Sequence, residues 1–487
     1  MAAWELTFSL EPKETLPVFL QIARAVVEDV RRGRLRPGDE LPGSRSLARS
    51  LSVHRNTVLA AYNELAAEGW ITVEAARGTF ISRELPDRRP RRFTPAGRTQ
   101  RASQAGFDLS PATETPAPYL PLPRGAFGLM GGLPDPRIAP VTAIARAYRN
   151  ALSGRGATRL LDYGEPQGHE RLRTALAQML SATRGIPVGP ESLVITRGSQ
   201  MGLYLVSRAL ISPGDVVAVE ALGYRPAWEA LKQAGARLVP LPVDGAGLEV
   251  DALCELVARE RVRAVYVTPH HQYPTTATLS AGRRLQLLEL ARRERLIVIE
   301  DDYDHEFHYD GRPILPLASA DEAGVVVYVG TLSKILAPGL RLGYVAATKE
   351  VVGRLASRRQ FIDRQGDQAM ECAVAQLLDD GEVQRHARRA RRVYQSRRDA
   401  LVQALSDELS GVLTFQPPIG GIALWARAEG GLDVDAWAER CRAREVYFQV
   451  ARRFAFDGRP RNFVRLGFAA CSESELREAV RRMASVA

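Results

Sequence analysis

Residues 325–345 read VVVYVGTLSKILAPGLRLGYV. Val325–Val329 form a short apolar, β-rich run of the kind that is buried on both faces of a sheet. The run stops at Gly330, and Thr331, Ser333, Lys334 and Arg341 follow among small and apolar residues. A lysine at a strand end is at home as a snorkelling surface group. It also suits one chemistry. A desolvated lysine offers a neutral amine that forms a Schiff base with an aldehyde. An aldehyde cofactor with a phosphate tail needs hydroxyls and a cation, and Thr331, Ser333 and Arg341 supply them.

Outward from this stretch, helical patterns alternate with the apolar runs SLVIT, VVAVE, AVYVTP, LIVIED and RLGYVAAT. That alternation indicates an α/β sheet covered on both faces. LVITRGSQMGLYLVSRAL reads as strand, Gly-Ser turn and amphipathic helix, so Gly198, Ser199 and Gln200 present amides and a hydroxyl to an anion or simply cap a turn. LIVIEDDYDHEF ends a buried strand in carboxylates, where open α/β sheets bind ligands; a solvated acidic loop reads the same way. In EALGYRPAW, Tyr224 follows a strand and is placed to stack on a flat ring or to fill a core. Arg465, in NFVRLGFAACSESEL, serves either a structural ion pair or a substrate carboxylate.

The first eighty residues read differently. LPVFLQIARAVVEDVRRGRL sets Phe19, Ile22, Val26, Val27 and Val30 on one helical face. RPGDELPGSRSLARSLSV gives a Pro-Gly turn and a helix with Ser44 as its expected cap. In VHRNTVLAAYNELAAEGW, Val58, Ala61, Tyr62 and Leu65 face inward, and His54, Arg55, Asn56 and Thr57 lie exposed at the helix start. Such a start is where a helix-turn-helix reaches base edges and phosphate. WITVEAARGTFIS adds a two-stranded wing tipped by Arg77. The candidate DNA contacts are Arg45, His54, Arg55, Asn56, Thr57 and Arg77.

The elements RPGDELPGSR, RNTV…AY..L..EGW and RGTF resemble the GntR-type winged helix-turn-helix over its whole length. His54 departs from that pattern, which more usually has serine before Arg-Asn-Thr. Gly-Ser-Gln, Gly-Tyr, Glu-Asp-Asp-Tyr, Ser-Lys…Arg and Arg-Leu-Gly-Phe, in that order, resemble the fold-type I pyridoxal-phosphate enzymes of the aspartate aminotransferase class. Both halves together resemble the MocR subgroup of GntR regulators. The implied fold is multidomain: a small α+β winged helix-turn-helix at 1–82, a basic Pro/Arg-rich linker at 83–125, and a large α/β aminotransferase-like domain at 126–487 with a mixed, mainly parallel sheet. The resemblance implies pyridoxal 5'-phosphate as cofactor and Lys334 as its Schiff-base lysine. Asp301, with Asp302 as the competing neighbour, pairs with the pyridine nitrogen. Tyr303 lies near the ring oxygen and Tyr224 on the ring; Ser199, Gln200, Thr331, Ser333 and Arg341 line the phosphate; Arg465 holds an effector carboxylate. It also implies an operator in double-stranded DNA, a small amine or amino acid effector, and a head-to-tail homodimer. TPHHQYPTTATLS departs from the aminotransferase Asn-Pro-Thr-Gly, with Tyr273 at the Asn position and Thr276 at the Gly position. That weakens the case for fast transamination, so a regulator is expected, with a working aminotransferase carrying a DNA-binding domain as the alternative. The hydrogen bond to the cofactor ring oxygen is then either missing or supplied by His271, Gln272 or Tyr303.

Composition agrees with this reading. The chain has 487 residues and a net charge of +10, which permits nucleic-acid binding. No apolar run of about 18 residues and no signal-like start occur, so a cytoplasmic protein is expected. Cys254, Cys372, Cys441 and Cys471 are scattered and imply no disulfide framework. His270 and His271 are paired, but no further ligand stands at metal spacing, so no metal is expected.

Overall fold

The computed structural model describes residues 17–74, 77–86, 106–108, 122–154, 156–311 and 314–487. Most of the expected linker at 83–125 lies outside them. The chain divides into two compact units, Met1–Pro118 and Tyr119–Ala487.

The smaller unit has three helices, α1 (Val18–Arg31), α2 (Ser44–Ser50) and α3 (Arg55–Ala67). Strands β1 (Glu40–Leu41), β2 (Ile71–Glu74) and β3 (Gly78–Ile81) pair antiparallel in the order β1-β3-β2. Its core is Ile22, Val26 and Val30 of α1, Leu47 and Ala48 of α2, and Val58, Ala61, Tyr62 and Leu65 of α3, closed by Trp70 and Ile81. These are the inward-facing positions that the helical spacing predicts. One expectation fails. Gly43, not Ser44, is the N-cap of α2, because the turn after Pro42 releases the chain one residue earlier. The Ser44 hydroxyl instead accepts from Arg55 Nε at 3.3 Å, tying the start of α2 to the start of α3.

The larger unit is built on a seven-stranded sheet of β4 (Leu193–Thr196), β5 (Val216–Glu220), β6 (Arg237–Leu241), β7 (Val262–Val267), β8 (Ile297–Asp302), β9 (Val326–Thr331) and β10 (Gly343–Ala346). The spatial order is β4-β10-β9-β8-β7-β5-β6. β5 to β9 pair parallel, and β10 alone runs antiparallel to both its neighbours. Every residue of β4, β5, β9 and β10 is buried, as in sheets with helices on both faces. A second, antiparallel sheet carries the strand Phe463–Gly467 and packs with the helices Glu382–Glu408, Val434–Ala443 and Glu473–Ala484 around Trp437, Tyr394 and Phe468. All four cysteines are free.

Leu65 is fully buried at the centre of the smaller unit. Leu65→Ala should cost about 2–5 kcal/mol through lost contacts and a residual cavity. A denaturant titration of the wing and helix signals should move to a lower midpoint; an unchanged midpoint would show that the core is not organised around α3.

Candidate functional site

Alternation along β8 sends Asp301 and Asp302 to opposite faces of the sheet. Tyr266, on neighbouring β7, donates its hydroxyl to Asp301 Oδ2 at 2.8 Å, and Asp301 Oδ1 is buried without a partner. Burial pushes the Asp301 carboxyl up to about 7, against the Tyr266 hydrogen bond and the charge of Lys334. Asp302 accepts from the Tyr328 hydroxyl at 2.7 Å and lies 3.1 Å from His305 Nδ1 and 4.0 Å from Arg184 Nη1. Burial acts on it too, but His305, His270 and Arg184 hold its carboxyl well below the usual range. The two neighbouring carboxylates are thus separated: Asp302 is compensated from within, and Asp301 faces Lys334.

Lys334 follows β9 in a turn pinned by its own residues. Thr331 Oγ1 accepts from Ser333 N at 3.1 Å and donates to Leu342 O at 3.3 Å. The Lys334 amine donates to Gly132 O. Burial brings its pKa down to about 8, and the nearby Arg465 and Arg341 act in the same direction. Thr331 therefore spends its hydroxyl inside the turn, whereas Ser333 Oγ is buried without a partner.

An anion cradle forms beside this turn. Helix α4 (Ser199–Leu210) starts after Gly198, whose φ is +79°. A Cβ on Gly198 would lie 3.1 Å from Arg341 Nη2, and one on Gly343 would lie 2.6 Å from the Gly198 carbonyl carbon. Two glycines therefore let the first amides of α4 approach the Arg341 guanidinium. Arg341 Nη2 donates to Arg197 O at 2.8 Å. Gln200 Nε2 donates to Pro226 O at 3.0 Å, which leaves its buried Oε1 without a partner. A cavity of about 830 Å3 opens here, lined in part by Thr196, Gln200, Tyr204 and Arg341.

The third wall is aromatic. Tyr273 packs edge-on against Tyr224 at 5.6 Å, Tyr303 at 5.9 Å and Phe454 at 5.3 Å, and the Arg465 guanidinium sits 4.6 Å over its ring. Arg465 is fully buried and donates to Pro274 O. A Cβ on Gly131 would collide with Arg465 Nε, so the Gly131-Gly132 pair covers Arg465 and also receives Lys334. Of the three residues left to replace the missing asparagine, Gln272 is fully engaged by Leu222, Tyr273 and Thr275, and His271 turns to Asp304. Tyr303 is engaged as well, its hydroxyl donating to His271 O at 2.9 Å. Thr276 has φ +63°, which explains why glycine suits that position.

In the smaller unit, His54 is the N-cap of α3, its Nδ1 accepting from Asn56 N at 3.2 Å. The histidine takes over the capping role of the usual serine. Arg45, His54, Arg55, Asn56 and Arg77 are exposed, and Thr57 is half-buried. Arg77 pairs with Glu74 at 2.6 Å on the wing.

The spacing argument against a metal at His270 and His271 does not survive the fold. His308 brings a ligand nitrogen within 4.8 Å of one on each, and His305 stacks 4.6 Å from His270. Tyr266, Gly131, Gly132, Gly343 and Arg184 were also missed. Tyr266 sits mid-strand, Gly131 and Gly132 in a loop and Gly343 at the start of β10, so no periodic or motif signal marked them.

The aminotransferase class I and II family model matches residues 132–483, and the model of the gntR family of bacterial regulatory proteins matches 19–81. The HTH-type transcriptional regulator TauR of Rhodobacter capsulatus is 31% identical, over 95% of this chain and 95% of its own. The probable rhizopine catabolism regulatory protein MocR of Rhizobium meliloti is 29% identical over 98% and 95%. Among solved structures, the α-aminoadipate aminotransferase LysN of Thermus thermophilus, complexed with N-(5'-phosphopyridoxyl)-L-leucine, superposes with a TM-score of 0.69 at 30% identity, covering 74% of this chain and 92% of that one. The chain belongs to the MocR-type GntR regulators, whose larger part is a class I and II aminotransferase domain. The cofactor of this fold is pyridoxal 5'-phosphate. The residues fit it: a desolvated lysine, a buried carboxylate with a free oxygen, and a cradle of glycines, amides and one guanidinium.

Lys334 is mostly ammonium below about pH 8 and mostly free amine above it. Cofactor uptake by the stripped protein, followed by stopped-flow absorbance, should therefore quicken with rising pH and level off just above 8. A rise that continues into the ordinary lysine range would show that the amine is not desolvated. Thr276→Gly should stabilise the larger unit by about 1 kcal/mol by relieving a left-handed backbone, read as a higher unfolding midpoint. A lower midpoint would mean that the threonine side chain is needed there.

Proposed function

We propose that the protein is a pyridoxal-phosphate-dependent, DNA-binding transcription regulator whose larger domain senses the cofactor, or an amine or amino acid that competes for it, through Lys334. The observation that carries this is one chain holding both an exposed Arg55-Asn56 pair at a capped helix start and a lysine amine held near pKa 8 beside buried Asp301. When bound, the cofactor supplies an aldehyde and an electron-withdrawing ring. Asp301 holds a proton on the pyridine nitrogen. Ser199, Ser333, Gln200 and Arg341 bind the phosphate, with Thr331 fixing the turn. Tyr224 orients the ring and Tyr303 meets its oxygen. Arg465 receives an effector carboxylate once Tyr273 and Gly131 move aside, because it is sealed beneath them.

The physical logic is a population shift. A ligand moves a two-state protein only by its differential affinity for the two states. Bound cofactor or effector favours one arrangement of the domains 1–82 and 126–487 about the linker 83–125, and that arrangement sets the fit to the operator. Large apolar side chains at Val141, Leu161, Tyr163 and Phe361 are exposed on the larger unit, which supports a homodimer through that unit; the head-to-tail arrangement rests on the family resemblance alone. A regulator that reads an operator works in the cytoplasm, at the nucleoid; among the described residues no helix is long and apolar enough to cross a membrane.

Mobility shifts on the protein's own upstream DNA test this. Arg55→Ala should weaken binding by about 1–3 kcal/mol. Lys334→Ala should lose the bound-cofactor absorbance and the dependence of DNA binding on added cofactor, while keeping binding itself. Cofactor-independent binding by the unaltered protein would sink the sensor reading. The second reading, a working aminotransferase, is favoured by the joint presence of Lys334, Asp301 and Arg465. Sustained amino-group transfer over many turnovers with a keto acid, indifferent to DNA, would establish it in place of the first.

A further inference from the structure

Behind the cofactor site lies a group of four buried histidines that the proposed regulator does not use. Strands β7 and β8 are parallel neighbours, paired Val267 to Glu300. His270 and His271 follow the end of β7, and His305 and His308 follow the end of β8, so the two loops meet at the same edge of the sheet. The rings touch: His270 lies 4.3 Å from His271 and 4.6 Å from His305, and His308 stacks 6.5 Å from His271. All four are at most 7% exposed. Both nitrogens of His270, Nε2 of His271 and Nδ1 of His308 are buried without a hydrogen-bond partner. Buried polar nitrogens left open in such number call for an occupant.

The carboxylates around them are arranged as a metal site requires. His271 Nδ1 and Asp304 Oδ1 are 2.7 Å apart, which fixes the tautomer and leaves Nε2 as the ligand atom. His305 Nδ1 lies 3.1 Å from Asp302 Oδ2, close enough for an ion pair but without a hydrogen bond. The Gly420 backbone packs directly against His271 Nε2, since a Cβ there would collide with it. A cavity of about 220 Å3 reaches His305 and His308 from outside, past Glu306, Gln384 and the exposed Arg388 and Arg391.

We propose that His270, His271 and His308 bind one divalent transition metal ion of imidazole preference, Zn2+ in the first place, with His305 available as fourth ligand. One ligand nitrogen of each of the first three lies within 4.8 Å of the others. A tetrahedral ion with bonds of about 2.0–2.1 Å needs them about 3.4 Å apart, a closure that ring rotations supply. The ion joins the loop that carries Tyr273 to the loop that carries Tyr303. It thereby fastens two walls of the cofactor site from behind. This proposal does not depend on whether the protein regulates or transaminates.

The test uses untagged, full-length protein loaded with cofactor, stripped of metal by a chelator, and titrated with zinc sulfate alone. Metal analysis after gel filtration should give a single equivalent per chain. His270→Asn and His308→Asn should each weaken retention more than tenfold while cofactor absorbance and circular dichroism stay native. His169→Asn, in a helix cap outside the cluster, should retain the full equivalent. No zinc retained by the unaltered protein, or retention by both cluster variants equal to that of the unaltered protein, overturns the proposal and leaves a packed group of core histidines. If a cluster variant does not fold, X-ray absorption of the cobalt-substituted native protein decides. A shell with three or more imidazole nitrogens supports the site, and an oxygen-only shell refutes it.

Discussion

β8 ends in three successive buried carboxylates, Glu300, Asp301 and Asp302, so it must send Asp301 to one face and its two neighbours to the other, and most of the larger unit answers to that constraint. On one face, Arg184, Tyr328 and His305 gather around Asp302 and keep it ionised. On the other, Asp301 has one tyrosine hydroxyl and one open oxygen, and burial pushes its carboxyl up to about 7. An isolated buried charge is too costly to maintain, so Asp301 awaits a cation or a bound proton. Lys334 and the cradle at Gly198 and Arg341 are placed around that demand. Removing either carboxylate would therefore disturb different things: the packing beneath the sheet for Asp302, the chemistry above it for Asp301.

The order of strands was readable because each is a short apolar run with helical patterns between, and this periodicity is set by the backbone alone. The strand-end residues Lys334, Asp301, Ser199 and Tyr224 were readable for the same reason: in a parallel sheet, strand ends converge. What the chain order hid is what adjacent strands bring together. His271 and His308 are separated by a whole crossover helix, yet their loops leave neighbouring strands at one edge. Tyr266 carries no motif and acquires its meaning only from the register of β7 on β8. The Ser44 cap failed on a smaller scale. Side-chain preference named the serine, but the backbone after Pro42 had already turned at Gly43.

His54 and Thr276 are both departures from a family pattern, and the structure gives them different physical standing. At His54 the ring nitrogen does what a serine oxygen would do, so the helix start is kept while a larger, flat group is offered to the outside. At Thr276 nothing comparable is gained, and the β-branched residue stands in a left-handed conformation. Tyr273, next along the same segment, stands over the Arg465 guanidinium.

The carbonyl that receives the Lys334 amine belongs to Gly132. That residue stands close after the linker, on the stretch that first joins the larger unit by pairing Phe127 and Gly128 with Val446 and Tyr447. The lysine is therefore also a latch on the strap by which the chain enters the domain. Drawing the amine away from Gly132 would release one tie between the Lys334 turn and the entry segment of the larger unit.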